Sequence, residues 1–259
     1  MKEIIFTIIL GIIQGLTEFL PVSSSGHLAL FQDVFGITEN NLFTTVALHF
    51  GTLLAVVVYY FKDILNLFKP QNRITIWYLF LSTLPAGVAM LFLNNTVNSM
   101  FSSIDFLWVG FLITAIILWI TDYVGKRIKN PKTISYKTAL IMGLSQAFAI
   151  FPGISRSGST ISGGIILANG ERKQIAGFAF LMSIPIIAGS AIFEVSTIDF
   201  SHVNIAATLV GVVASFITGY FAIKFMLKLI SRCNFKWFSV YLLLLVLITF
   251  INGVVIPLW

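Results

Sequence analysis

Residues 11–28, GIIQGLTEFLPVSSSGHL, begin as a segment apolar enough for lipid and then turn polar. Gln14, Glu18, Ser23, Ser24, Ser25 and His27 fall inside this run, together with Pro21 and Gly26. One charge at bilayer depth costs roughly 2.5–3.5 kcal/mol on insertion scales, so an ionisable group there pairs or lines a cavity and marks a functional site. Pro21 has no N–H and Gly26 weakens a helix, which predicts a break between two short helices.

The surrounding chain is apolar throughout. Of its 259 residues 58% are hydrophobic, 14% aromatic and only 10% charged, against about 25% charged in ordinary globular domains. This composition excludes a soluble domain and points to an all-α polytopic membrane protein. The net charge of +6 does not indicate nucleic acid, because the basic residues stand between apolar segments, where orientation signals belong. The single Cys233 excludes an intramolecular disulfide, and no CxxC or Cys/His metal motif is present. Residues 1–19 have the apolarity of a signal peptide, yet they carry Glu18 and lack a small-x-small cleavage site, so the segment is expected to be retained.

Six apolar segments reach the roughly 20 residues that a crossing needs: 43–61, 74–93, 104–122, 174–193, 204–227 and 237–257. Two more, 3–36 and 135–168, are interrupted by Pro, Gly and Ser, and each reads as a re-entrant helical hairpin. At an offset of 132, GIIQGLTEFLPVSSSG (11–26) lies over GLSQAFAIFPGISRSG (143–158) with Gly, Gln, Phe, Ser, Ser and Gly identical. The spans that follow fall in the same order. The reading is one membrane domain, 1–259, of two inverted-topology repeats, 1–131 and 132–259, each a hairpin plus three spans.

Charge supports this topology independently. It collects 14 of the 16 basic residues on one side, in the segments around 62–73, 126–137, 172–173 and 224–236. Loops 32–42, 94–103 and 194–203 have no Lys or Arg, but hold Asp33, Glu39, Glu194 and Asp199. The basic side is then cytoplasmic and both termini face outward. Trp77, Trp108, Trp119, Trp237 and Trp259 lie towards segment ends, as an interfacial belt requires. Hairpins entering from opposite faces bring SSSGH and SRSGS together near the midplane. Each precedes a helix starting at about residue 25 or 157, whose free N–H groups favour phosphate, and Arg156 adds a bidentate fork.

These residues resemble the bacterial undecaprenyl pyrophosphate phosphatase family, also called bacitracin-resistance proteins. Its first signature is (E/Q)xxxE followed by a Ser-Ser-x-Gly-His run, here Gln14, Glu18, Ser23, Ser24, Ser25, Gly26 and His27. The second, PGxSRSxxT, stands as Pro152, Gly153, Ser155, Arg156, Ser157 and Thr160. Gln14 occupies a position where many members carry Glu, one carboxylate fewer for a metal or proton. The resemblance implies hydrolysis of undecaprenyl pyrophosphate to undecaprenyl phosphate and inorganic phosphate, which recycles the lipid carrier for the cell wall. It also implies an active site open to the outer face of the bacterial cytoplasmic membrane and dependence on a divalent cation.

Residue by residue, Glu18 and Gln14 share a helical face and suit metal binding or, for Glu18, proton transfer. A diphosphate brings about three negative charges and Glu18 a fourth, so Mg²⁺ or Ca²⁺ would close most of the gap left by Arg156. Ser24 is the first choice of nucleophile with His27 as its base or as an acid; a phosphohistidine on His27 and water activated by it remain alternatives. Ser23, Ser25, Gly26, Ser155, Ser157, Ser159 and Thr160 are expected to bind phosphate or cap the helices. His49 reads as a hydrogen-bonded packing residue, with a role at the site as the alternative. The partners are a polyprenyl pyrophosphate and the membrane; a homodimer is compatible with the chain. The competing function is a secondary transporter or polyprenyl-phosphate flippase, since inverted repeats with broken helices are typical of transporters.

Overall fold

The computed structural model describes residues 1–36, 42–101, 106–195, 204–231 and 234–255. Glu39, Asp105, Asp199, His202, Arg232, Cys233 and Trp259 lie outside the described residues. The described chain is helical: α1 Lys2–Phe19, α2 Ser24–Val34, α3 Leu42–Tyr59, α4 Phe61–Leu67, α5 Arg73–Phe101 and α6 Leu107–Gly125. After a connection come α7 Tyr136–Phe148, α8 Arg156–Ile166, α9 Arg172–Val195, α10 Ile205–Ile230 and α11 Lys236–Phe250.

Among the described residues five helices are long and apolar enough to cross a membrane, namely α5, α6, α9, α10 and α11, the last with its continuation to Gly253. The first expected span, 43–61, differs. It ends at Tyr59, bends by 72° and continues as the short α4, so only the bent pair together passes as a crossing. Large apolar side chains such as Trp77, Phe80, Leu91 and Phe92 on α5 are exposed, as lipid contact requires and water would not tolerate in such number. Trp77, Trp119 and Trp237 are likewise exposed, at their helix ends.

The two interrupted stretches are helix pairs; α2, α7 and α8 are short, at 11, 13 and 11 residues, but α1 runs for 18, longer than the half-length helix the sequence predicts, because its apolar run is unbroken until Leu20. The first break spans Leu20 to Ser23, so Gly26 lies inside α2 rather than at the break. Its role is close approach: a Cβ there would sit 2.7 Å from the Phe111 ring of α6. Each second helix is capped by its own break, Ser23 Oγ accepting from Gly26 N at 3.3 Å and Ser155 Oγ from Gly158 N at 3.0 Å.

Packing brings distant elements together. The principal partner of α1 is α10, and that of α7 is α5, while α3 packs on α9 and α6 on α11. Small residues allow the first of these contacts: a Cβ on Gly11 would lie 2.4 Å from the Gly211 carbonyl, and one on Gly15 would overlap Thr218. Thr114 of α6 fixes the second break. Its hydroxyl accepts from Ser155 N at 3.0 Å and shares its one hydrogen between Gly110 O of its own helix at 3.0 Å and Gly153 O at 3.2 Å, with Thr114 fully buried.

Thr114→Val keeps the shape and orphans the buried Ser155 N–H, a cost of about 1–3 kcal/mol. Thermal unfolding in detergent is expected to show a lowered midpoint for Thr114→Val and a smaller loss for Thr114→Ser.

Candidate active site

The last turn of α1, the first turn of α2 and the first residue of α8 meet at Glu18. The α-helical spacing puts Gln14 one turn before it, and Gln14 Nε2 donates to Glu18 Oε2 at 2.9 Å. Ser24 Oγ, at the head of α2, donates to the same oxygen at 2.6 Å. The other oxygen, Oε1, is ion-paired with the Arg156 guanidinium across 138 positions of sequence. His49 Nε2 of α3 stands 3.7 Å from Oε2.

The Glu18 side chain is 4% exposed, Arg156 20% and His49 27%. Ser24 and Ser25 are also partly exposed. The site is thus a buried carboxylate roofed by groups that reach an opening. A hydroxyl hydrogen-bonded to a carboxylate has the geometry that a nucleophile and its base require, and a guanidinium beside the same carboxylate has a fork suited to phosphate oxygens. Two cavities, of about 290 and 360 Å³, open elsewhere, among the basic helix ends near Lys126 and Arg127 and near Arg172 and Lys173.

His27 is not arranged as the sequence suggested. Its Nδ1 lies 2.7 Å from Ser23 O, one turn back in its own helix, and its Nε2 lies 2.7 Å from Tyr241 Oη of α11. Both ring nitrogens are engaged, neither with Ser24, because the bond to Ser23 lays the ring along α2 and turns its far edge towards α11. Glu18 holds the position at Ser24 that the sequence reading gave to His27.

The hydroxyls of the second break are turned inward. Ser155 caps α8, Ser157 Oγ donates to Leu20 O at 2.9 Å and Thr160 Oγ1 donates to Arg156 O at 2.9 Å. All are buried, as is Ser159, whose Oγ has no partner. Ser157 thereby ties one break to the other. Of the set expected to bind phosphate, Ser25 keeps a partly open side chain, 3.5 Å from Ser23 Oγ.

His49 combines its two readings: Nδ1 is hydrogen-bonded within its own helix, 2.9 Å from Thr45 O, while Nε2 faces Glu18. Tyr241 escaped the sequence reading and gave no signal, being 214 positions from its partner.

For a metal, the described residues contain no cluster of three or more His, Cys, Asp or Glu. A complete protein cage is therefore not offered by those residues. What fits is a hard cation held by one carboxylate and shared with a substrate phosphate. Gln14 Oε1, fully buried beside Glu18 and without a hydrogen-bond partner, is the oxygen left over for it.

Residues 7–248 match the family model for bacitracin resistance protein BacA. Among curated relatives, an "Undecaprenyl-diphosphatase" of Methanosphaera stadtmanae is 34% identical, over 99% of this chain and all of its own length. Proteins of the same name from Christiangramia forsetii and Thermosipho africanus are 41% and 40% identical, covering 92% and 95% of this chain and 94% and 99% of their own. Matched over nearly its whole length, this chain belongs to the bacitracin resistance protein BacA family.

Proposed function

We propose that the chain is an undecaprenyl-diphosphate phosphatase, releasing inorganic phosphate and leaving undecaprenyl phosphate. The observation that carries this reading is the convergence of Ser24, Glu18 and Arg156: a nucleophile, its base and a phosphate fork on one buried carboxylate. The relatives' names point the same way. Transport or flipping is not favoured, since passage of an anion needs no hydroxyl poised on a carboxylate.

In the reaction, the Ser24 Oγ attacks the terminal phosphorus while its proton passes to Glu18 Oε2. The Oγ–P bond forms, the anhydride P–O bond breaks, and undecaprenyl phosphate departs. Water then cleaves the phosphoserine and frees inorganic phosphate. Arg156 starts on Glu18 and moves its fork towards the diphosphate, which both neutralises the substrate and releases Glu18 to accept a proton. Gln14 Oε1 and Glu18 would hold a divalent cation, Mg²⁺ or Ca²⁺, which when bound offsets phosphate charge and polarises the phosphoryl group.

The topology belongs to the same proposal: two inverted repeats, 1–131 and 132–259, with α1–α2 and α7–α8 as re-entrant hairpins. The packing supports it through exchange. Each hairpin's first helix lies on a span of the other half, α1 on α10 and α7 on α5, while like spans α3 and α9, and α6 and α11, pair with each other. With the basic loops cytoplasmic, both termini and the site face outward, placing the enzyme where a cell-wall lipid carrier is recycled and where bacitracin acts. One chain supplies both breaks, so a homodimer would add nothing to the site.

Phosphate release by purified protein in detergent tests the function, since no gradient exists there to drive transport. Ser24→Ala is expected to abolish release, and a quenched wild-type reaction to contain chain heavier by one phosphate. Arg156→Lys keeps the charge but loses the fork, and turnover is expected to fall by about tenfold or more. Chelation should stop turnover, and Gln14→Glu should lower the cation concentration giving half-maximal rate, measured by titrating Mg²⁺ or Ca²⁺. For sidedness, a cysteine at Gly36 in a Cys233→Ser background should react with an impermeant thiol reagent in intact cells, and one at Lys129 only after permeabilisation.

A further inference from the structure

Ser23 precedes the proposed nucleophile, and its backbone is at φ 68° and ψ 95°. A residue with a Cβ is strained in this left-handed half of conformational space and stays there only when its surroundings hold it. The constraint matters because Ser23 is the N-cap of α2: its torsions set where the Ser24 side chain and the first free N–H groups of the helix point.

The Ser23 carbonyl accepts twice from His27, from the backbone N at 3.1 Å and from the ring Nδ1 at 2.7 Å. A carbonyl only accepts, so Nδ1 carries the hydrogen. In the neutral ring Nε2 is then an acceptor, and the Tyr241 hydroxyl donates to it at 2.7 Å. The same two rings stack within 17° of parallel, while Phe111 packs edge-on against the imidazole. His27 is 2% exposed and Tyr241 41%, so α11 reaches in from its lipid-facing side to hold a buried ring.

We propose that Tyr241 and His27 form a strut that keeps Ser23 in its left-handed conformation and thereby aims Ser24 at Glu18. Both are positioning residues; neither exchanges a proton with substrate. The strut rests on the reading of Ser24 and Glu18 as the reacting pair.

Steady-state phosphate release from undecaprenyl diphosphate by purified variants tests it. Tyr241→Phe keeps the stack and loses only the hydroxyl; kcat is expected to fall about tenfold with KM changed less than about twofold, because aim is lost and not binding. In His27→Asn the amide nitrogen takes the place of Nδ1 and can still donate to Ser23 O. This variant is expected to keep about a tenth or more of wild-type turnover, whereas His27→Ala and His27→Gln fall by about a hundredfold. Thermal midpoints near wild type confirm that the variants are folded. A His27→Asn protein as inactive as His27→Ala would overturn the strut, since ring chemistry would then be required. Wild-type kcat in Tyr241→Phe would overturn it as well. Ser24→Ala tests the underlying reading separately: if it turns over normally, the assignment of the nucleophile fails whatever the strut variants do.

Discussion

A carboxylate and a guanidinium meet inside an otherwise apolar protein, and each is there on condition that the other is. Removing one leaves an uncompensated charge away from water, a loss of about 3–5 kcal/mol for buried pairs. The Glu18–Arg156 pair therefore does for the two broken helices what a hydrophobic contact does for intact ones: it makes their meeting the low-energy arrangement. Around it most of the hydroxyls at the breaks are satisfied locally, Ser23 and Ser155 on their own helix starts, Ser157 on Leu20 and Thr114 on the second break, while Gln14 Oε1 and Ser159 Oγ are left without a partner. Backbone without helical hydrogen bonds is tolerated at depth only on such terms.

The two breaks are alike in sequence and unlike in chemistry. Under the offset of 132, Ser24 lies over Arg156 and Glu18 over Ile150. One break thus brings hydroxyl and acid, the other the cation, and neither holds a complete set. The partly open groups, Ser24, Ser25 and Arg156, are those left after structural needs are met, while Ser159 and Thr160 are withdrawn into the packing.

What the sequence disclosed follows the range of the forces involved. Long apolar runs gave the spans, and Pro, Gly and Ser inside such runs gave both breaks, because these are local properties of the backbone. Glu18 and Arg156 stood out because charge is rare in lipid. For His27 the sequence shows a position three residues from Ser24, but not that its ring bonds back to Ser23. His49 and Tyr241 join the site through packing across the bundle, and no spacing rule connects residues that far apart. Thr114 has the appearance of a routine small residue in a span; only the approach of Gly153 and Ser155 gives its hydroxyl partners outside its own helix.

The glycine-lined contact between α1 and α10 has a bearing on biogenesis. The helix that carries Gln14 and Glu18 is synthesised well before the surface it fits, which begins only at residue 205. Arg156 arrives in between. Until then the acid on α1 has neither its countercharge nor its packing partner, so a nascent or truncated chain carries an unmatched acidic segment at the membrane. The meeting of the two breaks at Glu18 is for this reason a late event of translation, since it waits on both Arg156 and α10.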